Sequence, residues 1–210
     1  MRAASLISLL APPLCWACGS PARTDEPLCR RCRAAVRPAP PGWIELGGLP
    51  VLSASLYEGP ARALVAALKY RAAAAVAEAM AARIAARADL PAAARLVPVP
   101  LRPAALRRRG YNQAAWLASA LSGRSGLVVV DCLERSGGPG VAQVGRGRKE
   151  RMTGPAGRIR VRPGRAPPGQ AVLVDDVVTT GATLLACQRA LREAGASDVR
   201  AVAFARTPGR

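Results

Sequence analysis

The spacing of apolar residues along the chain predicts strands that alternate with helices. Residues 171–174 form a continuous apolar and β-branched run, which is typical of a strand buried on both faces of a parallel sheet. Residues 182–194 carry apolar side chains at helical spacing. The same reasoning predicts strands at 51–57, 95–100 and 127–131 and helical stretches at 61–88 and 114–121. We therefore expect an α/β domain with a mainly parallel sheet flanked by helices.

Two interruptions divide this pattern. The helical stretch 61–88 breaks near Lys69, Tyr70 and Arg71, and residues 33–48 are rich in proline and glycine, which suits a linker. We therefore predict a small unit at 1–45, which includes a short N-terminal helix, and a larger domain at 46–210. Arg83 and Arg87 share one helix face, which we expect to be solvated.

The junction between the strand at 171–174 and the helix at 182–194 carries the clearest chemistry. Asp175 and Asp176 come first, and the hydroxyl-rich sequence Thr-Thr-Gly-Ala-Thr at 179–183 follows. Open α/β sheets bind ligands at such a point, and the amino end of a helix favours a phosphate. Two carboxylates repel phosphate, so they accept hydrogen bonds from sugar hydroxyls or hold a cation through water. We expect Gly181 to let the backbone approach the ligand, and the ligand indicated is a phosphorylated sugar.

A second strand-to-helix junction is rich in arginine. Arg102 and the sequence Arg-Arg-Arg-Gly-Tyr-Asn-Gln at 107–113 lie between the strand at 95–100 and the helix at 114–121. If this loop faces the first junction, its guanidiniums can clamp a pyrophosphate. The irregular stretch 134–165 has nine basic residues and two acids, which suits either a lid that closes on an anion or a solvated loop.

Four cysteines near the start form two matched pairs. Cys15 and Cys18 are separated by two residues, as are Cys29 and Cys32. Four thiolates complete a closed tetrahedral zinc shell, and disulfides are the alternative. A segment this small has too few apolar residues to fold by itself. Metal binding would therefore supply its folding free energy. The other two cysteines, Cys132 and Cys187, lie in apolar surroundings and are expected in the core.

Composition adds a strongly basic charge. Lys and Arg outnumber Asp and Glu by 31 to 13, which gives a net charge of +18 without histidine. Such a field favours polyanionic partners, among them nucleic acid and pyrophosphate-bearing substrates, and compositional bias explains it equally well. No apolar run approaches the roughly 20 residues that a membrane span needs. Residues 1–14 lack a convincing signal-peptide cleavage site, so we expect a cytoplasmic protein.

The run at 174–183 resembles the signature of type I phosphoribosyltransferases, which bind 5-phosphoribosyl-1-pyrophosphate (PRPP). The resemblance implies that fold, PRPP as ligand, and magnesium bound with it. It also implies that the two acids hold the ribose 2′- and 3′-hydroxyls and that the loop holds the 5′-phosphate. The PRPP-binding residues implied are Asp175, Asp176, Val177, Val178, Thr179, Thr180, Gly181, Ala182 and Thr183, and the catalytic ones are Asp175, Asp176 and Arg109.

Further motifs resemble one branch, the ComF family of amidophosphoribosyltransferase-related bacterial proteins. The chain shares with it a four-cysteine zinc ribbon, Lys69-Tyr70, Pro-Val-Pro at 98–100, Arg-Gly-Tyr-Asn-Gln at 109–113 and a flexible loop with Gln143. The pyrophosphate and loop residues implied are Lys69, Arg107, Arg108, Arg109, Gln113, Gln143 and Arg151. The chain departs from the family after Gln143, because Gly154 stands where the family usually has an asparagine.

The resemblance implies three functions. The first is transfer of ribose 5-phosphate from PRPP to an unknown acceptor, linked to DNA uptake in natural transformation. The second is a non-catalytic accessory protein that binds single-stranded DNA and works with DNA-uptake proteins. The third is a PRPP sensor without chemistry, which suits the departure at Gly154. The sequence alone leaves open whether the protein is an enzyme.

Overall fold

The computed structural model describes residues 13–23, 26–71, 73–136 and 158–209. The described residues form seven strands and six helices. The strands are β1 (Ile44–Leu46), β2 (Leu49–Leu56), β3 (Arg95–Pro98), β4 (Leu133–Ser136), β5 (Arg158–Val161), β6 (Gln170–Val178) and β7 (Asp198–Arg206). The helices are α1 (Arg30–Ala34), α2 (Gly59–Tyr70), α3 (Ala74–Ala85), α4 (Pro103–Arg109), α5 (Gln113–Ser125) and α6 (Ala182–Glu193). Among these helices, none is both long and apolar enough to cross a bilayer.

A five-stranded sheet in the order β1-β2-β7-β6-β3 forms the centre of the protein. The pairs β2–β7, β7–β6 and β6–β3 are parallel, and β1 pairs antiparallel with β2 at one edge. The predicted mainly parallel sheet is therefore confirmed. The strand predicted at 127–131 is reduced to one parallel bridge between Val129 and Leu96. Leu127 is buried and Val128 is exposed, and two backbone hydrogen bonds with Leu96 hold this outermost run.

Both faces of the sheet are covered by apolar cores. Along β6, Val172 and Val174 belong to the core that α2, α3 and α5 share, and Ala171 and Leu173 belong to the core on the α6 side. Successive residues of a strand point to opposite faces, so a strand buried on both sides has a continuous apolar sequence. This explains why the run at 171–174 was recognisable.

The cysteine-bearing segment packs against this domain. Leu28 is buried in the core that contains α2 and α3. Arg83 Nη2 donates to the carbonyl of Arg33 at 3.1 Å, and Arg87 Nη2 donates to that of Ala39 at 2.7 Å. The predicted solvated face is therefore wrong, because Arg83 on α3 and Arg87, two residues beyond its end, hold the preceding segment. The predicted domain boundary at 45/46 stays a prediction.

A separate two-stranded antiparallel sheet joins β4 and β5. The stretch 134–165, predicted as irregular, therefore contains paired strands at both ends, and Arg160 Nε donates to Glu134 Oε1 across them at 2.7 Å. Because the two strands are far apart in the sequence, the sequence of each one alone gives little indication that they pair. Gln143, Arg151 and Gly154 lie outside the described residues, and so does nearly all of the predicted N-terminal helix.

Candidate active site

A cleft of about 280 Å³ opens at the carboxyl ends of β6 and β3. Polar and charged side chains dominate its wall, and a short apolar stretch after β3 completes it. The lining residues are Tyr57, Lys69, Val99, Pro100, Leu101, Gln113, Arg135, Asp175, Asp176, Val177, Thr179 and Thr183. The cleft therefore brings together residues of both predicted anion-binding junctions.

The two acids lie on the last part of β6, since the strand continues to Val178 rather than ending at residue 174. Strand alternation gives them different surroundings. Asp176 Oδ2 lies 2.9 Å from Lys69 Nζ at the end of α2, and its side chain is only 4 % exposed. Asp175 lies on the α6 side, and its Oδ1 accepts a hydrogen bond from the Asp176 N–H at 2.8 Å. Of the two neighbouring carboxylates, Asp176 forms the ion pair with the Lys69 ammonium group.

The electrostatics of the acids follow from this arrangement. Burial, and next the negative charge of Asp176, raise the pKa of Asp175 well above its ordinary value. Burial acts to lower the pKa of Lys69, but the charge and hydrogen bond of Asp176 outweigh it, so the pKa of Lys69 is raised. A cation or hydroxyl donors near Asp175 would favour its charged form. The cleft is therefore suited to a ligand that brings such groups.

The threonine loop leads directly from β6 into α6. Thr179 and Thr180 are exposed, and a second cavity of about 40 Å³ is lined by Asp175 and by residues 177–184. The N-cap of α6 is Gly181, which makes no side-chain cap hydrogen bond. The amino end of this 12-residue helix therefore faces a small cavity bordered by hydroxyl groups, which suits an anion.

Gly181 has a structural role in the fold, and its predicted role in the approach of a ligand stays a prediction. Its φ of 74° lies in the left-handed region, which glycine adopts without strain. A Cβ at this position would overlap the Leu46 side chain of β1. Gln188 Nε2 also donates to the carbonyl of Gly48 at 2.8 Å. The missing side chain therefore allows the β1–β2 hairpin to pack on α6.

The arginine-rich junction contains a helix, α4, rather than a loop. Pro103 is suited to its first turn, and Gly110, with a φ of 79°, ends it. Arg107 and Arg108 are exposed and do not line the cleft. Arg109 Nη1 donates to Gln113 Oε1 at 2.8 Å, and Gln113 does line the cleft. Of the four residues predicted here, only Gln113 reaches the cleft wall.

Tyr111 and Asn112 hold the walls of the cleft together. Asn112 Oδ1 accepts from the Ala114 N–H at 3.1 Å, which caps α5, and its Nδ2 donates to the carbonyl of Val99 at 3.0 Å. The Tyr111 hydroxyl donates to the carbonyl of Leu68 at 2.6 Å. These bonds connect α5 to the end of β3 and to the turn of α2 that carries Lys69.

Two polar residues that line the cleft were not predicted from the sequence. Tyr57 follows β2, at the same sheet edge as the acids, and that position was the available signal. Arg135 lies on β4, in the stretch predicted as irregular. The alternation of Arg158, Ile159, Arg160 and Val161 was a weak strand signal for its partner β5. The pairing of β4 with β5, which positions Arg135, could not be predicted from the sequence around Arg135.

The four cysteines of the N-terminal segment form a cluster. The sulfur atoms of Cys15, Cys18, Cys29 and Cys32 all lie within 4.8 Å of one another, and Cys18 and Cys29 are 3.7 Å apart. Zinc–sulfur bonds of about 2.3 Å in a tetrahedron place the sulfurs about 3.8 Å apart, so the cluster fits zinc. A hydrogen bond from Ser20 lowers the pKa of Cys18 to about 6, whereas burial raises the pKa of Cys32 to about 12. Zinc itself stays a prediction.

Cys132 and Cys187 lie outside this cluster. Both are fully buried, as predicted for core residues. Burial, followed by the negative charge of Asp175, raises the pKa of Cys187. Burial likewise raises the pKa of Cys132, so both thiols are held in the neutral form.

Such a parallel α/β sheet, with paired acids and a threonine loop between a strand and a helix, defines a phosphoribosyltransferase-type domain. The model of the phosphoribosyl transferase domain family matches residues 105–210, and the chain belongs to this family. "Competence protein ComFC" of Streptococcus pneumoniae (strain ATCC BAA-255 / R6) is 33% identical over 112 residues, which cover 53% of this chain and 48% of that protein. The predicted ComF membership and type I fold are therefore confirmed.

The chain spans about half the length of this curated relative, since 48% of it is covered. A solved structure described as the allosteric regulatory enzyme of purine biosynthesis also aligns with the chain. Its TM-score is 0.42 at 19% identity, and the alignment covers 60% of this chain and 25% of that one.

Proposed function

We propose that the cleft binds PRPP and that the protein transfers ribose 5-phosphate from it to an acceptor. The observation that carries this proposal is that Asp175, Asp176 and the threonine loop line one cleft at the carboxyl edge of the sheet. In the proposed complex the two carboxylates accept hydrogen bonds from the ribose 2′- and 3′-hydroxyls. Residues 177–183 hold the 5′-phosphate with hydroxyl groups and with the amino end of α6.

In the proposed reaction the bond between ribose C1 and pyrophosphate breaks, and the acceptor forms a bond to C1. The leaving pyrophosphate takes the electron pair, and the ring carries positive charge in the transition state. Magnesium bound with PRPP would neutralise part of the charge of the leaving group. The protein contributes positioning and charge, because Lys69 fixes the Asp176 carboxylate and both acids orient the ribose. Zinc held by Cys15, Cys18, Cys29 and Cys32 is proposed as structural.

A binding experiment tests the ligand. We expect wild-type protein to bind PRPP with magnesium in isothermal titration calorimetry. The Asp175→Asn/Asp176→Asn variant should bind it roughly 100-fold or more weakly, because each hydrogen bond to a charged group is worth about 1.5–3 kcal/mol. Asp198→Asn is the control, because Asp198 pairs with Arg200 at the start of β7, outside the cleft lining. Equal PRPP affinity of wild-type and double variant would reject the proposed ligand site.

Turnover is tested separately, by following pyrophosphate release from PRPP. The acceptors to be tried are nucleobases, amines and DNA ends. Release above the buffer rate with one of them supports transfer. If none stimulates release while PRPP still binds, the enzymatic part of the proposal is lost and a PRPP sensor remains.

A second candidate is a DNA-binding role in competence, together with DNA-uptake proteins. It is favoured by the net charge of +18, by the exposed Arg107 and Arg108 on α4, and by the name of the curated relative. Binding through backbone phosphates should weaken steeply with salt for a single-stranded oligonucleotide, and it should not depend on Asp175 and Asp176. Both candidates include a cytoplasmic location, because a reducing compartment would keep the four clustered cysteines as thiols that can bind zinc.

A further inference from the structure

The ion pair between Lys69 and Asp176 depends on the last turn of α2, residues 68–71. Lys69 is the second-last residue of this helix, and Arg71 is its C-cap. The last carbonyl groups of a helix have no partner within it, and helix ends open more easily than the middle. The Arg71 N–H donates to the carbonyl of Ala67 at 3.0 Å, and the next helix starts only at Ala74. The position of Lys69 therefore depends on contacts that other elements make with this turn.

The junction that precedes α5 contacts this turn at two residues. The Tyr111 hydroxyl donates to the carbonyl of Leu68 at 2.6 Å. The guanidinium carbon of Arg109 lies 5.0 Å from the centre of the Tyr70 ring, which is a cation–π distance. These contacts fix the residues directly before and after Lys69.

The cysteine-bearing segment contacts the end of the same turn. The guanidinium carbon of Arg71 lies 5.4 Å from the centre of the Trp16 ring. Trp16 lies between Cys15 and Cys18 of the cysteine cluster, and its N–H donates to the carbonyl of Pro27 at 3.0 Å. Its ring also packs against the core that contains α2 and α3. The cysteine turn therefore sets the position of a ring that holds the end of α2.

We propose that Trp16 and Arg71 are positioning residues of the cleft, through which the cysteine-bearing segment keeps Lys69 against Asp176. The inference rests on the proposed function, since it states what holds one residue of the PRPP cleft in place. Both residues lie outside the cleft lining, so they act through Lys69 and not on a ligand. Zinc bound by the four cysteines would fix the turn that carries Trp16 and so contribute to this positioning.

Hydrogen–deuterium exchange of the amides in residues 68–71 tests this role without a ligand. In full-length protein, Arg71→Gln should raise their exchange rate roughly two- to fivefold, because Arg71 is exposed and an exposed cation–π contact changes an opening equilibrium by about that factor. Trp16→Ala should raise it at least as much, since this variant also loses packing against the core.

Two more variants show whether the residues act as a pair. The double variant Trp16→Ala/Arg71→Gln should exchange no faster than Trp16→Ala alone, because both changes remove the same contact. Arg71→Lys keeps a cation for the ring and should restore part of the protection, which a purely structural role would not produce. Fully additive effects on exchange would contradict a shared contact and overturn the inference.

Arg200→Gln is the matched control. The guanidinium carbon of Arg200 lies 5.9 Å from the centre of the Trp43 ring, and Arg200 is near the start of β7 and outside the cleft lining. The variant thus removes the same charge and the same kind of contact at another place. Exchange at 68–71 should stay at the wild-type rate.

Calorimetric titration of PRPP with magnesium tests the consequence for the cleft. Arg71→Gln and Trp16→Ala should bind it up to about fivefold more weakly, because apparent affinity falls with the fraction of protein that has Lys69 in place. Arg200→Gln should bind it like wild type. Weaker binding in Arg71→Gln with wild-type affinity in Trp16→Ala would be an effect of charge alone and would overturn the inference.

The two measurements separate the positioning role from the proposed function. If wild-type protein binds PRPP while exchange at 68–71 is unchanged in both single variants, the inference is overturned and the proposed function stands. If exchange rises as expected and wild-type protein does not bind PRPP, the proposed function fails, and with it the claim that the contact serves a PRPP cleft. Should Trp16→Ala not fold, Trp16→Leu replaces it, since leucine keeps apolar packing without the ring; unchanged exchange there and in Arg71→Gln would overturn the inference.

Discussion

At the scale of single residues, two neighbouring aspartates with the same sequence context have different environments. Asp176 faces α2 and is paired with Lys69, one of only two lysines among 31 basic residues. Asp175 faces α6, and the bond that stabilises its charge comes from the N–H of Asp176. The sequence predicts both acids as ligand-binding residues, which stays a prediction, but it could not assign the lysine to one of them, because Lys69 lies on a helix far away in the sequence.

The raised pKa of Asp175 leads to a prediction about stability. An acid with a raised folded-state pKa contributes stability at pH below its unfolded pKa, and this contribution is lost as pH rises through the folded pKa. Asp175→Asn removes the titration, so its unfolding free energy should exceed that of wild type at neutral pH. The difference should shrink as the pH falls toward the unfolded value of 3.8. Urea unfolding at several pH values measures it, and a pH-independent difference would contradict the explanation.

At the scale of elements, the most regular segments were predicted well. Helices α2 and α3 divide near Lys69–Arg71, and β2, β3, α5 and α6 lie close to their predicted positions. In these segments the spacing of apolar residues in the sequence follows directly from which side chains are buried. The β1 strand was missed in the proline- and glycine-rich linker, and α4 was missed because it is seven residues long and has no buried side chain. Their conformations depend on pairing and end-capping, which hydrophobic periodicity does not reveal.

The cysteine segment gives a prediction at the same scale. If the cluster holds zinc, freshly purified protein should contain about one zinc per chain by elemental analysis. Cys29→Ala should lose the metal and lower the melting temperature, because metal binding supplies folding free energy to a segment with little core of its own. Cys132→Ala is the matched control, since Cys132 is buried outside the cluster and should retain zinc. Wild-type protein with far less than one zinc would reject the site.

At the scale of the whole molecule, the sheet topology explains which parts of the site were predictable. The acids and the threonine loop are contiguous in sequence, so their motif could be read directly. The opposite wall is built from α2, the start of α5, and β4, which are far apart along the chain. Arg135 enters the cleft only through the antiparallel pairing of β4 with β5. The large positive charge indicates anionic partners but does not position any of them.

The central claim is that this cleft holds a ribose with a 5′-phosphate on the threonine loop. A crystal structure of the protein with PRPP and magnesium tests it most directly. We expect the ribose hydroxyls within hydrogen-bonding distance of Asp175 and Asp176, and the 5′-phosphate at residues 179–183. A ligand bound elsewhere, or acids that keep only their protein contacts beside an ordered ligand, would contradict the account.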